Sequence, residues 1–150
     1  MSEPNVFQSD AISVLYPLKA KYCYFLNSDD LHDPELPMVR SRLIGGTLVL
    51  WAHLLDPYVT IHPPTTSAIT ALILCIPGYQ VTVHIAIYLP TSGRDTDFVS
   101  EITNLRVCIT ELADQYPGAA FFIRGDSNVN FKNKPRLLHL TQIMERFGLL

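Results

Sequence analysis

The side chains best suited to chemistry lie in the block Gly-Asp-Ser-Asn at residues 125–128, which follows an apolar run. Because strand side chains alternate, Asp126 and Asn128 point to one side if the chain stays extended. An aspartate carboxylate binds a hard divalent cation or transfers a proton, and an asparagine amide donates to a phosphate oxygen without repelling it. Asp and Asn are also typical of turns, since both form hydrogen bonds with nearby backbone groups. The spacing by itself favours the turn.

A second polar group follows another apolar run. Tyr88 and Thr91 carry hydroxyls that can donate to a phosphodiester, and both stand near the end of a predicted strand. Packing for the tyrosine and a turn for the threonine are the ordinary alternatives. Lys132, Lys134 and Arg136 form a local basic cluster just after the Gly-Asp-Ser-Asn block. They can contact phosphates or make the polar start of a helix.

Apolar runs rich in β-branched and aromatic residues predict the strands that position these groups. The run at 47–51 is mostly apolar throughout, which predicts a strand covered on both faces. The turn Pro77-Gly78 between two runs predicts an antiparallel hairpin. A short apolar segment at 11–18 and a polar loop at 27–37 complete the early part of the chain. The predicted strands cover residues 22–26, 47–51, 68–76, 80–89 and 119–124.

Two segments have the period of a helix. From residue 98, apolar side chains recur in steps of four, three, four and three, which predicts an amphipathic helix that Pro117 and Gly118 end. A final helix is predicted from near Pro135, whose fixed φ suits a first turn, to Gly148. The order strand, helix, strand brings both polar groups to strand ends around one helix, where they can form one rim. The fold class is therefore α/β with antiparallel hairpin content. The apolar positions of the first helix are Phe98, Ile102, Leu105, Ile109 and Leu112.

Length and composition set the broad class. The chain has 150 residues, 48% of them apolar and 17% charged, which is enough for one globular domain and too little for two separate cores. Its net charge is −3 with no long run of either sign, so any contact with DNA must be local. The sequence lacks both the GxGxxG and the GxxxxGK[ST] pattern, which argues against dinucleotide-binding and P-loop enzymes.

Cysteine usage and the N-terminus favour an intracellular protein, nuclear or cytoplasmic and not secreted. Cys23, Cys75 and Cys108 are odd in number and lie in apolar surroundings, which predicts free, buried thiols in a reducing compartment. Residues 1–10 lack the basic start and apolar run of a signal peptide. The longest uncharged stretch, 59–83, is interrupted by prolines, so no membrane helix is expected.

Taken in order, these segments resemble a known superfamily. The sequence resembles the endonuclease/exonuclease/phosphatase superfamily in the order of four segments. These are the strand that begins at Gly45-Gly46 and ends at Trp51, the segment with Tyr88, the helix, and the Gly-Asp-Ser-Asn block. More narrowly, they resemble the apurinic-endonuclease-like domain of LINE-type retrotransposons. The resemblance covers residues 43–150, and the Gly-Asp-x-Asn block is its most specific part.

The resemblance implies a fold and a set of boundaries. The fold would be part of a four-layer αββα sandwich with mixed, largely antiparallel sheets. Residues 43–150 would form the central part of the domain, without its N-terminal and C-terminal motifs. Residues 1–42 would be an N-terminal segment of the same domain.

The resemblance also implies a chemistry, namely hydrolysis of phosphodiester bonds in DNA with Mg²⁺ or Mn²⁺. Asp126 would bind the metal and activate water or the leaving group, and Asn128 would orient the scissile phosphate. Tyr88 matches the tyrosine that contacts phosphate in the superfamily. Thr91 stands where many members carry an asparagine after the proline, as a further candidate for contact with substrate. Lys132 and Lys134 are the basic candidates for contact with the DNA phosphate backbone.

Two superfamily motifs are missing from the sequence. The Gln-Glu pair whose glutamate is the main metal ligand and the Ser-Asp-His block are not recognisable. A single carboxylate gives a weak Mg²⁺ site, and loss of an essential catalytic group commonly removes several powers of ten in rate. We therefore expect weak or no nuclease activity, and the alternative is a non-catalytic relic or a protein-interaction module. Sheet edges that the missing strands would cover favour self-association.

Overall fold

The computed structural model describes residues 19–27, 46–91, 93–130 and 132–148. The apolar segment predicted for 11–18 and most of the loop predicted for 27–37 lie outside the described residues. The strands are β1 (Tyr22–Asn27), β2 (Thr47–Ala52), β3 (Val59–Ile61), β4 (Ile69–Leu74), β5 (Thr82–Tyr88) and β6 (Ala120–Asp126). The α-helices are α1 (Asp95–Gln115) and α2 (Lys134–Arg146), and a 3₁₀ helix spans His53–Tyr58.

Four of these strands form one mixed sheet in the order β3-β4-β5-β6. β4 and β5 pair antiparallel across the Pro77-Gly78 turn, as predicted, and Gly78 has the positive φ of 82° that this turn needs. β3 pairs antiparallel with β4. β6 pairs parallel with β5, because α1 carries the chain back to the start of the sheet. The predicted mixed, largely antiparallel α/β class is confirmed.

The main hydrophobic core lies between this sheet and the helices. All five predicted apolar positions of α1 are buried, and Phe98, Leu105 and Ile109 have no exposed surface. They pack against alternate residues of β5, such as Val83 and Ile85. The apolar face of the helix and the alternate apolar residues of the strand therefore form one core. Each fully buried large side chain in it contributes about 1.5–3 kcal/mol to the free energy of folding.

A two-stranded antiparallel sheet of β1 and β2 covers part of the opposite face. It lies against side chains of the larger sheet that include Leu72 and His84. The buried side chain of Asn27 joins the two sheets, since its Nδ2 donates to the carbonyls of Thr66 at 2.8 Å and Ile69 at 3.2 Å. The described residues thus form three successive layers, helix, sheet and sheet, and within this part of the chain a four-layer sandwich is not confirmed.

Two sequence predictions about burial are wrong. β2 is not covered on both faces, because Leu48 and Leu50 are 43% and 42% exposed. The three described cysteines are free, but only Cys108 is buried, whereas Cys75 is exposed and Cys23 is half-buried. Among the described helices, none is long and apolar enough to cross a membrane.

Candidate functional site at the ends of β5 and β6

Tyr88 and Asp126 are register partners at the ends of two neighbouring parallel strands. Paired residues on adjacent strands leave the same face of the sheet, so these two side chains are neighbours on one face. The carboxyl ends of parallel strands are also where α/β proteins commonly bind ligands. The structure therefore brings together two of the three residues predicted to do chemistry.

Gly125 makes this pairing sterically feasible. Its φ is 132°, and a Cβ built on it would overlap the carbonyl oxygen of Ile87 on the neighbouring strand. A residue with a side chain could not approach β5 so closely. The glycine of the Gly-Asp-Ser-Asn block thus has a backbone role, which is to let Asp126 complete the strand.

The third predicted residue, Asn128, follows in a tight turn. Its backbone N–H donates to Oδ1 of Asp126 at 2.8 Å, and its own φ of 48° is in the left-handed region that asparagine tolerates. Its Nδ2 donates to the carbonyl of Leu89 at 2.7 Å, which attaches the turn to the end of β5. The chain therefore turns after Asp126 and does not stay extended, so the condition for Asp126 and Asn128 to point to one side is not met. The turn holds the backbone N–H of Asn128 beside the Asp126 carboxylate, while the side-chain amide of Asn128 reaches Leu89.

An open cleft of about 950 Å³ lies at this end of the sheet. Thr91, Asp126, Asn128 and Lys132 contribute to its lining, as four of the residues predicted from sequence. Tyr88 lies on the adjacent strand and Lys134 at the first turn of α2, and neither is among the described lining residues. The remaining lining residues are Ser127, Val129, Asn130, Asn133 and Pro135.

The charge of the cleft limits the metal chemistry it can support. Asp126 is the one carboxylate and Lys132 the one cation among the described lining residues. In the same described part of the chain, no group of three or more His, Cys, Asp or Glu side chains could hold a metal ion. Mg²⁺ usually takes one or two protein carboxylates and completes its shell with water and substrate phosphate. Asp126 can supply one such carboxylate, so the described lining fits a weak Mg²⁺ site at most.

Sequence reasoning missed the part played by Arg136. It was a candidate phosphate contact, but its side chain is 3% exposed. Its Nη1 donates to the carbonyl of Pro90 at 2.6 Å, its Nη2 to that of Thr91 at 2.9 Å, and its Nε to Oδ1 of Asp95 at 2.8 Å. The guanidinium also lies 4.4 Å from the ring centre of Phe98. Arg136 therefore joins α2 to the loop that forms one rim of the cleft.

No sequence signal could have revealed this. The partners of Arg136 lie 41 to 46 residues earlier in the chain, and an arginine at the start of a helix is ordinarily exposed. Its burial follows from the way α1 and α2 cross the same face of the sheet.

Comparison with solved structures places this arrangement among known folds. The chain is similar to TDP2 from C. elegans, with a TM-score of 0.53 and 14% sequence identity over 85% of this chain and 37% of that chain. A truncated Caenorhabditis elegans TDP2 gives a TM-score of 0.53 and 14% identity over 85% of this chain and 48% of that one. The likeness concerns the fold alone. The mixed α/β arrangement is consistent with the endonuclease/exonuclease/phosphatase-like fold of these neighbours.

The solved neighbours are considerably longer than this chain. It spans 37% of one and 48% of the other. No protein-family model matches the sequence, and no curated protein matches it either.

Proposed function

We propose that the cleft at the ends of β5 and β6 binds a phosphodiester of DNA, as part of a divalent-metal-dependent phosphodiesterase site. One observation carries the proposal, namely the register pairing of Tyr88 with Asp126 beside the turn of Asn128. A carboxylate, an amide and a phenol hydroxyl at one sheet end form a suitable donor set for a phosphate and its metal ion. The likeness to TDP2, a phosphodiesterase with the endonuclease/exonuclease/phosphatase fold, supports a reading of this kind.

Each side chain has a distinct proposed part. Asp126 binds Mg²⁺ or Mn²⁺ through its carboxylate, and the metal, when bound, neutralises charge on the phosphate. Asn128 uses one amide hydrogen on Leu89 and retains a second for a phosphate oxygen. Tyr88 contributes its hydroxyl from the adjacent strand. Thr91 and Lys132 contact the substrate from the lining of the cleft.

Lys134 completes the proposed basic side of the site. It is exposed at the first turn of α2, two residues beyond Lys132. Ammonium groups in this position attract the DNA backbone irrespective of its sequence, so their contribution falls as salt concentration rises.

The single carboxylate of the cleft favours weak turnover. A metal held by one carboxylate depends on the substrate phosphate to complete its coordination shell. Where several catalytic groups act together, the loss of one of them removes most of the rate of catalysis. We expect DNA binding to be easier to detect than cleavage. The alternative is a non-catalytic relic or a protein-interaction module that keeps only the fold.

The finer proposal is a LINE-type retrotransposon origin, with residues 43–150 as the central part of the domain and an intracellular location, nuclear or cytoplasmic. The order of the Gly-Gly strand, the segment with Tyr88 and the Gly-Asp-Ser-Asn block supports it. The coding sequence on both sides of this segment tests it. An in-frame Gln-Glu pair upstream and a Ser-Asp-His block with a reverse transcriptase downstream would support the proposal, and unrelated sequence would contradict it.

The functional test uses metal and DNA on the full chain. Mg²⁺ or Mn²⁺ with a short duplex should raise the Tm of the wild type but not of Asp126→Asn, and nicking of supercoiled plasmid should be weak and metal-dependent. Asparagine keeps the oxygen that accepts from the backbone of Asn128, so the turn is preserved while the charge is lost. Asp114→Asn, at an exposed position of α1, is the matched control. Absence of both effects in the wild type would leave the non-catalytic alternative.

A further inference from the structure

Three consecutive backbone carbonyls after β5 accept hydrogen bonds from side chains that follow β6. Nδ2 of Asn128 donates to the carbonyl of Leu89 at 2.7 Å. Two nitrogens of Arg136 donate to the carbonyls of Pro90 at 2.6 Å and Thr91 at 2.9 Å. Loop carbonyls are ordinarily bound by water or by nearby backbone groups. Here side chains that lie 39 to 46 residues later in the chain hold this stretch of loop in place.

The guanidinium of Arg136 also binds the start of α1. Its Nη2 lies 2.7 Å from Oδ1 of Asp95, to which its Nε also donates, and its carbon lies 4.4 Å from the ring centre of Phe98. A guanidinium presents a rigid planar fork of five N–H donors, so one side chain can bind two carbonyls and a carboxylate at once, whereas an ammonium has a single nitrogen. Arg136 therefore joins α2, the start of α1 and the loop between β5 and α1.

These bonds lie directly behind the lining of the candidate cleft. Thr91, whose carbonyl accepts from Arg136, belongs to the lining, and so do Asn133 and Pro135, which precede Arg136 in the chain. The side chain of Arg136 is 3% exposed and is not among the described lining residues. Its Nε, Nη1 and Nη2 all donate within the protein. The guanidinium thus connects two segments of the lining and leaves the contact with a ligand to other residues.

On the basis of the function proposed for the cleft, we propose that Arg136 is a positioning residue for the phosphodiester. Its bonds fix the separation between Thr91 and the lining residues from 126 to 135, and hence the width of the cleft in which the phosphate binds. Binding groups act well only when a surrounding set of bonds holds them in the productive geometry. In metal sites, loss of such a supporting bond commonly costs about tenfold to a hundredfold in affinity or activity.

The first test is the affinity for a short DNA duplex with Mg²⁺, measured by fluorescence anisotropy. Arg136→Lys keeps the charge but not the fork of donors, and its Kd should rise about tenfold or more. Leu112→Ala is the control for lost stability, because Leu112 is buried near the far end of α1 and its truncation leaves a cavity. It should leave the Kd of the folded protein unchanged. An unchanged Kd in Arg136→Lys, or an equal rise in both variants, overturns the proposal.

The salt dependence of the same Kd separates positioning from direct contact with DNA. A side chain that neutralises a phosphate contributes to the slope of log K against log salt, whereas a side chain that acts through other residues does not. Lys132→Gln should therefore reduce the slope by about one. Arg136→Met should weaken binding and keep the slope of the wild type. A reduced slope in Arg136→Met would mean that the guanidinium itself contacts phosphate, and would overturn the proposal.

A milder pair of variants removes one partner of Arg136 and leaves the arginine in place. Asp95→Ala and Asp97→Ala each remove one negative charge from the first turn of α1, so both weaken the repulsion of DNA alike. Asp95 binds Arg136, whereas Asp97 pairs with the exposed Arg94. The Kd of Asp95→Ala should therefore be severalfold higher than that of Asp97→Ala. Equal Kd values for the two variants would contradict the proposal.

A readout without DNA separates the role of Arg136 from the function of the cleft. The side-chain amide of Asn128 binds the carbonyl of Leu89, next to the two carbonyls that Arg136 holds. Its signals in the proton–nitrogen NMR spectrum should shift in Arg136→Lys and keep their wild-type positions in Leu112→Ala. If the wild type binds no DNA while these signals respond as stated, the proposed function fails and the positioning by Arg136 stands. Unchanged Asn128 signals in Arg136→Lys overturn the positioning, whatever the result with DNA.

Discussion

Gly125 lies so close to Ile87 that a methyl group on its Cα would overlap the Ile87 carbonyl oxygen. The contact is between backbones of paired strands, so neither side can move without breaking the ladder of β5 and β6. The position of Asp126, one residue later, depends on this contact. The candidate site is therefore sensitive to a substitution that removes no functional group.

Gly125→Ala should destabilise the protein strongly. Overlap with backbone adds to the strain of a positive φ, and we expect a loss of about 3 kcal/mol or more in the free energy of unfolding. Gly118→Ala is the matched control, because Gly118 also has a positive φ, of 82°, but open space where the methyl would lie. Its loss should be about 1 kcal/mol. Urea denaturation followed by circular dichroism measures the free energy of unfolding of both variants. Similar losses in the two would show that the strain of the positive φ alone, and not the overlap with Ile87, sets the cost of the substitution.

Arg136 should matter for stability far more than the exposed arginines. Arg136→Met removes three hydrogen bonds and leaves the carbonyls of Pro90 and Thr91 without their donor, at a cost of about 3 kcal/mol. Arg106→Met, at an exposed position of α1, should change the free energy of unfolding by less than about 0.5 kcal/mol. Denaturant titration of the two variants gives the comparison. A small loss in Arg136→Met would mean that water replaces the guanidinium at little cost.

The three cysteines should react with a disulfide reagent at three different rates. Cys75 is exposed and should react first, whereas burial raises the pKa of Cys108 to about 11 and should prevent its reaction until the chain unfolds. For Cys23, partial burial and the neighbouring Asp56 raise the pKa, so its reaction should be slower than that of Cys75. Release of the coloured thiol product under native and denaturing conditions gives the number of cysteines that react in each state. Cys75→Ser should remove the fast phase, and two fast phases in the wild type would contradict the observed burial.

Local patterns predicted the elements that depend on local forces. The apolar spacing from Phe98 to Leu112 identified α1 and its buried face, because a helix turns its own stripe towards the core. The Pro77-Gly78 turn identified the β4–β5 hairpin. The burial of β2 was mispredicted, since an apolar run does not reveal whether a second layer covers it, and Leu48 and Leu50 remain exposed.

The sequence predicted which residues lie near one another in the candidate site, but not the hydrogen bonds that hold the site together. Two strand ends around one helix predicted that Tyr88 and Asp126 lie together, and the strands do pair in that register. The buried bonds of Arg136 depend on long-range packing that no spacing encodes. The chemical roles of Asp126, Asn128 and Tyr88 stay predictions.

The pH dependence of stability should report on His84. Desolvation lowers the pKa of this half-buried imidazole, and the nearby Arg124 lowers it further. The side chain stacks on Phe122, and its Nε2 lies 3.1 Å from Oγ1 of Thr82. In the unfolded chain a histidine titrates near a pKa of about 6.5. As the pH falls through that value, the unfolded chain takes up a proton that the folded chain does not, so stability is lost towards acid pH.

Comparison of wild type with His84→Gln isolates this effect from other titrations. The difference in the free energy of unfolding between the two should shrink as the pH falls from about 8 to about 5, because only the wild type carries the imidazole. Arg124→Gln removes the second cause of the lowered pKa and should reduce the pH dependence without abolishing it, since desolvation is the larger cause. Denaturant titrations at a series of pH values measure both. A difference that stays constant with pH would mean that His84 has the same proton affinity in the folded and unfolded chain, and that the stack on Phe122 does not exclude the charged form.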